Sequence, residues 1–316
     1  MTITVFKDSK FPTSILSIKG TYVADELSVD LTKTDKLSPL FVWIPGNPGL
    51  LEYYEEFLKL LHVKNPEWDI LGISHAGMSS GNSNLKENEC SVYTLDEQIH
   101  HKIEIINKFA AYGRELIVMG HSVGAFMAQK VVMSNKLEGK VKKIGLLMPT
   151  VIDIHLSEKG TQISTILNWI PNLPQLAGWV SEKIFGGFLP ITLVKFIISF
   201  FMELNNENKA AHATYTFLKD SNFVEQSLGL AKYEMQIIRH DWEFQRELVK
   251  MCNVNQIELW TLFAESDHWV SNQTRSELIE LYRNSVNSDY YSYSITDQVP
   301  HAFVIKNSCH VVDNYF

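Results

Sequence analysis

The segment Gly120-His121-Ser122-Val123-Gly124 lies between the β-branched run Leu116 to Met119 and a helical run from Ala125 to Met133. A serine with glycine two residues to either side, directly after a strand and directly before a helix, specifies a tight strand–turn–helix elbow. Glycines at both ends let neighbouring backbone approach closely, and the serine is held on a strained turn with its Oγ exposed. The elbow recurs in context: further strand-like runs are Ile3 to Phe6, Ile15 to Ile18, Leu40 to Ile44, Asp69 to Ile73 and Lys143 to Leu147. Between them, Leu51 to Leu61, Leu95 to Phe109 and Ser122 to Ser134 have helical period. This alternation predicts the α/β class, with a mostly parallel central sheet flanked by helices.

The alternation stops near Thr150 and resumes near Ile257, where Ile257 to Phe263 reads as another strand. Residues 1–149 and 257–316 therefore form the expected core, and 150–256 a largely helical, apolar cap inserted into it. Inside the cap, Trp169, Trp179 and the run Ile184 to Met202 (IFGGFLPITLVKFIISFFM) are the most apolar part of the chain. That run approaches the roughly 20 residues needed to span a bilayer. Gly186, Gly187 and Pro190 interrupt it, and a central charge such as Lys195 costs about 2.5–3.5 kcal/mol on insertion scales. A helix or hairpin lying in a lipid surface, or a lid over an apolar pocket, fits better than a spanning helix, with a buried core helix as the alternative.

Composition narrows the function classes. With 45% apolar and 20% charged residues the chain can bury a sizeable core. Its 28 basic against 36 acidic residues give a net charge of −8, without the basic excess of a general nucleic-acid binder. Cys90, Cys252 and Cys309 are far apart and form no C-x-x-C pair, which argues against a disulfide framework or a sulfur-rich zinc site and fits a reducing compartment. The N-terminal MTITVFKDSKFP has neither the apolar run of a signal peptide nor the character of a transit peptide, so a cytosolic start is expected. No Walker loop and no G-x-G-x-x-G after a strand is present, so no nucleotide cofactor is implied. His100 and His101 are the one close histidine pair; adjacent positions do not share a helix face, so both are expected to face solvent and no metal is implied.

A serine hydroxyl needs a histidine base and a third group to orient that base, and with this elbow the acid precedes the histidine along the chain. Asp267 lies in Phe263-Ala264-Glu265-Ser266-Asp267-His268-Trp269, just past a strand end, with Glu265 a close competitor. Asp153 and Asp241 read as cap or surface carboxylates. His301, in Pro300-His301-Ala302-Phe303-Val304 after the strand-like Tyr290 to Ile295, is the expected base, ahead of His310 and His268. Donors to an oxyanion are expected from the Val123 N–H and from the loop Pro45-Gly46-Asn47-Pro48-Gly49. Prolines carry no N–H, which leaves Gly46, Asn47 and Gly49, of which Asn47 is preferred.

The chain resembles the lipid droplet-associated hydrolase family of α/β-hydrolases. The resemblance rests on Ile44-Pro45-Gly46-Asn47-Pro48-Gly49 with Tyr53-Tyr54 and Phe57, on Gly120-His121-Ser122-Val123-Gly124-Ala125, on Asp267-His268-Trp269 and on His301-Ala302-Phe303-Val304. It implies an α/β-hydrolase fold and a serine hydrolase at the cytosolic face of the endoplasmic reticulum or on lipid droplets; the apolar run 184–202 is the segment expected to dock there, and no cofactor is expected. Ser122, Asp267 and His301 fall on the triad positions, and neutral-lipid esters such as sterol esters or acylglycerols are the implied substrates. His268 departs from the small residue expected after the acid. Two other readings of the same residues are a lipid-droplet structural or lipid-binding protein with little activity, and a thioesterase or small-ester hydrolase.

Overall fold

The computed structural model describes residues 2–21, 37–80, 92–110, 113–203, 209–285 and 290–316. One sheet runs through it, built from β1 (Thr4–Phe6), β2 (Thr13–Ile18), β3 (Leu40–Ile44), β4 (Asp69–Ile73), β5 (Glu115–His121), β6 (Lys140–Leu147), β7 (Glu258–Ala264) and β8 (Tyr291–Thr296). The spatial order is β1-β2-β4-β3-β5-β6-β7-β8. β2 pairs antiparallel with β1 and β4, and every other pairing is parallel. The central strands β3 (LFVWI) and β4 (DILGI) are buried along their whole length, as parallel strands covered on both faces must be. That is why they read as short continuous apolar runs rather than as alternating ones.

Helices cover both faces. α1 (Glu55–Lys64), α2 (Leu95–Phe109) and α3 (Val123–Met133) precede the cap, and α2 starts at a reciprocal cap in which Thr94 and Glu97 satisfy each other's backbone N–H. Val42, Leu71, Val118 and Ile144 pack on one side against α3 residues such as Met127 and Val131. On the other side Phe41, Trp43 and Leu262 pack against Phe57 of α1 and against Phe303.

Helix α2 corrects one expectation. His100 is exposed, but His101 is buried with Lys102 and Gln98. The Lys102 Nζ donates to the Ser74 carbonyl at 2.8 Å and to His101 Nδ1 at 3.1 Å. Burial holds Lys102 far below the ordinary lysine range, and burial with Lys102 close by does the same to His101. Adjacency keeps two histidines from sharing a helix face but says nothing about which of them faces the core.

Between β6 and β7 the chain forms α4 (Glu158–Trp169), α5 (Leu173–Ser181), α6 (Ile191–Met202), α7 (Lys209–Leu218), α8 (Ser221–Ile237) and α9 (Trp242–Asn255). Leu230 and Met235 of α8 and Leu248, Val249 and Cys252 of α9 join the main core, so the helices without a buried residue in that core are α4 to α7. The run 184–202 is broken at its proline and not at its glycines: Gly186 and Gly187 lie inside a wide-turned helical stretch over Glu182–Phe188, followed by extended chain at Leu189 and by α6 capped by Pro190. Among the described residues no helix is long and apolar enough to cross a membrane. α10 (Asn272–Ser285) and α11 (Ser308–Tyr315) complete the fold. Cys252 is buried and Cys309 exposed as free thiols; Cys90 lies outside the described residues.

Candidate active site

Strand β5 ends at His121 and α3 begins at Val123, so Ser122 alone makes the turn, with φ 54° and ψ −123°. A non-glycine residue there stores strain of about 1–3 kcal/mol. The surroundings hold it: the Ser122 N–H donates to the Leu147 carbonyl at 2.9 Å, and the Ser122 carbonyl accepts from Ala125 N–H at 3.0 Å. Both motif glycines are required by close approach. A Cβ on Gly120 would lie 2.1 Å from the Gly124 oxygen, and one on Gly124 would lie 2.2 Å from the Ile44 oxygen.

Ser122, Asp267 and His301 meet at the carboxyl ends of the parallel strands. His301 Nε2 lies 3.0 Å from Ser122 Oγ, and His301 Nδ1 lies 2.7 Å from Asp267 Oδ2. The other carboxylate oxygen of Asp267 accepts from the N–H groups of Trp269 at 2.8 Å and Val270 at 3.2 Å. Burial pushes the Asp267 carboxyl up, but the His301 contact and these two amides outweigh it and hold the group below the ordinary carboxylate range. A carboxylate so held fixes the proton of the imidazole on Nδ1 and leaves Nε2 free to accept one from the serine.

The competing residues go elsewhere. Glu265 is exposed at the end of β7. Asp153 is buried against His240 Nδ1 at 2.7 Å, and Asp241 caps α9 by accepting from Phe244 N–H. His310 lies in α11 with its ring beside Tyr315. His268 points outward, its Nδ1 2.6 Å from Glu158 Oε2, while its carbonyl accepts from Lys159 N–H at 3.0 Å. His268 thus ties the loop that carries Asp267 to the start of α4.

The proline-glycine loop abuts the nucleophile: a Cβ on Gly46 would lie 3.0 Å from Ser122 Cβ. The Gly46 N–H donates to Tyr54 Oη at 2.8 Å, which removes it from the set of oxyanion donors. The side chain of Asn47 is fully engaged with α8. Its Nδ2 donates to the Ser227 carbonyl and to Glu234 Oε1, both at 2.9 Å, and its Oδ1 accepts from Ser227 Oγ at 2.6 Å. Any part Asn47 takes in holding an oxyanion therefore belongs to its main-chain N–H. Glu234, which sequence reasoning missed, is 4% exposed, and burial, only partly offset by Asn47, raises its pKa to about 7. Nothing local in the sequence marks Ser227 or Glu234, because their partner is 180 or more residues away. Among the described residues no group of three or more His, Cys, Asp or Glu side chains is placed to hold a metal ion.

The profile of the lipid-droplet associated hydrolases matches residues 37–304, from before β3 to the turn after His301. The chain belongs to that family. Lipid droplet-associated hydrolase from Drosophila melanogaster is 26% identical to this family member over 290 residues, spanning 89% of this chain and 88% of the fly protein. Among solved structures, a haloalkane dehalogenase from Agrobacterium tumefaciens superposes with a TM-score of 0.62 at 11% identity, covering 99% of this chain and 94% of its own. A thioesterase domain from the curacin biosynthetic pathway gives 0.60 at 11% identity, covering 99% and 98%. At such identities the likeness is one of fold, and the fold of this droplet-hydrolase relative is that of the α/β-hydrolases.

Proposed function

We propose that the protein is a serine ester hydrolase that acts on neutral-lipid esters, sterol esters or acylglycerols, at the surface of lipid droplets or the cytosolic face of the endoplasmic reticulum. The observation that carries the reading is the unbroken contact chain from Ser122 Oγ through His301 to Asp267. The names of the related proteins and the exposed aromatic side chains of the cap support a lipid substrate. Trp169 is 83%, Phe188 80% and Phe201 79% exposed.

In the reaction Ser122 Oγ attacks the ester carbonyl carbon as its proton passes to His301 Nε2. The main-chain N–H groups of Val123 and Asn47 receive the negative charge that develops on the carbonyl oxygen, in a site where fixed donors act with little reorganisation. The tetrahedral adduct collapses when His301 returns the proton to the leaving alcohol oxygen, which leaves an acyl-serine. Water then loses a proton to His301 and attacks the acyl carbon; release of the carboxylic acid restores the Ser122 hydroxyl. Asp267 stays ionised throughout and stabilises the imidazolium.

A fluorophosphonate probe is expected to label the wild-type protein at Ser122. Hydrolysis profiled over sterol esters, acylglycerols, acyl-CoA and short-chain esters is expected to favour the first two, and Ser122→Ala to lower kcat by roughly 10⁴–10⁶. Full ester-hydrolysing activity in Ser122→Ala would remove the nucleophile assignment. Absence of labelling would favour a lipid-binding protein on a hydrolase scaffold, and a preference for acyl-CoA would make it a thioesterase.

A further inference from the structure

Two of the motif residues take no part in the triad: Tyr54, which follows the proline-glycine loop, and His121, which precedes the nucleophile. Both are buried, and between them they touch two of the elements that carry the chemistry. Tyr54 Oη and His121 Nδ1 lie 2.7 Å apart, and His121 Nε2 lies 2.8 Å from the main-chain carbonyl oxygen of His301. Tyr54 Oη also receives the Gly46 N–H at 2.8 Å.

Only one proton arrangement satisfies every contact. A carbonyl oxygen only accepts, so the His121 proton must sit on Nε2 and point at His301. Nδ1 is then bare and accepts, which makes the Tyr54 hydroxyl the donor there; the same oxygen accepts from Gly46. The hydrogen bonds run in a single direction: Gly46 N–H to Tyr54, Tyr54 O–H to His121, His121 N–H to the backbone of His301. The ring of His121 is wedged in place, with its centroid 5.2 Å from those of both His301 and Phe303. Its protonation does not interrupt the chain in the neutral range, because burial and the neighbouring His301 lower its pKa to about 3.

We propose that Tyr54 and His121 are positioning residues for acyl transfer: one directional hydrogen-bond chain sets the main chain of the general base His301 and the main chain of the oxyanion loop at Gly46-Asn47 relative to each other. Neither side chain touches the reacting atoms. The chain makes the two halves of the site, proton transfer and charge stabilisation, depend on a common anchor on the strand end that carries the nucleophile. The inference rests on the reading of Ser122 as a catalytic nucleophile.

Shape-preserving variants separate this role from packing. Tyr54→Phe removes only the hydroxyl, His121→Met fills the space without a donor, and His121→Gln keeps an N–H where Nε2 donates to His301. With a soluble p-nitrophenyl ester, Tyr54→Phe and His121→Met are each expected to lower kcat roughly 10–100-fold, the loss associated with displacement of about an ångström, with KM nearly unchanged. The double variant is expected to be no worse than the poorer single one, because both break the same chain. His121→Gln is expected to regain most of the kcat lost in His121→Met. Should Tyr54→Phe fail to fold by thermal melting, the comparison of His121→Gln with His121→Met carries the test. Folded variants with wild-type kcat, fully additive losses, or no rescue by glutamine would each overturn the proposal. A wild-type protein that no fluorophosphonate labels would instead overturn the hydrolase reading beneath it.

Discussion

Ser122 is unreactive alone, and the residue that makes its base dependable is Asp267. The carboxylate accepts from two backbone amides and from His301, so it accepts the Nδ1–H hydrogen bond and, ionised, has no proton of its own to donate to Nδ1. Asp267→Asn keeps the size but can present N–H toward Nδ1, which selects the tautomer with the proton on Nε2, facing the serine. The expected consequence is a fall in kcat of about 10⁴ with little change in KM, read with a soluble ester; a loss under tenfold would assign the orienting role elsewhere. That Ser122, Asp267 and His301 could meet was legible in the sequence because Ser122 and Asp267 each follow an apolar strand run and His301 follows β8, whose Tyr-Ser alternation still reads as a strand. Sequence ranked Asp267 over Glu265 only narrowly; the fold separates them, since Glu265 continues β7 by donating its N–H to the Thr296 carbonyl and leaves its side chain in solvent. The Tyr54–His121 contact was not legible: both residues stand in recognisable motifs, but 67 residues separate them and no local pattern pairs them.

At the level of elements, α8 links the cap to the active site. Gln226 holds Tyr93 through both its N–H and its carbonyl, and Ser227 and Glu234 hold the side chain of Asn47. On its other side, α8 packs so closely on α5 that a Cβ on Gly178 would lie 2.5 Å from the Ser221 oxygen. Glu234 is therefore a buried acid at the joint between α8 and the loop from Pro45 to Gly49. Its pKa is raised from 4.5 to about 7 in the folded protein, so between those values the folded state binds the proton more tightly than the unfolded chain. The stability this contributes is complete below about pH 4.5 and is lost as pH rises through 7; the shift corresponds to roughly 3 kcal/mol. Glu234→Gln keeps the oxygen that accepts from Asn47 and cannot ionise. Urea unfolding at pH 5 and pH 8 is expected to show the variant gaining roughly 2–3 kcal/mol on the wild type between the two. A difference that stays constant with pH would mean that Glu234 is ionised in both states. None of the cap helices was placed in detail from the sequence, because the contacts that fix them, such as those of α8 with Tyr93 and Asn47, are made with distant parts of the chain.

For the whole molecule, average composition hides the division of labour. The sheet and its flanking helices bury most of their apolar residues, whereas α6 buries Val194 and Ile198 and leaves Phe196, Phe200 and Phe201 exposed. Phe196 and Phe200 are four residues apart and share a helix face. Lys195, the one charge in the run, lies with its Nζ 5.9 Å from the centre of the Tyr215 ring, so it is tethered toward α7. The sequence identified this stretch as too broken to span a bilayer and too apolar for an ordinary surface, and the observed break at Pro190 gives it the shape of a short helix able to lie along a lipid layer. Sequence did not reveal which rings face outward, because that is decided by packing of α6 on α7. If α6 docks to lipid, Phe196→Ser, Phe200→Ser and Phe201→Ser together remove three partly inserted rings worth about 3 kcal/mol in all, or roughly a 100-fold loss in affinity. Flotation with phospholipid-coated triolein droplets is expected to fall accordingly, while fluorophosphonate labelling of Ser122 in solution stays at the wild-type rate. Flotation that persists in the folded triple variant would place the lipid contact outside α6, and a parallel loss of labelling would mean that these rings support the fold instead of the membrane contact.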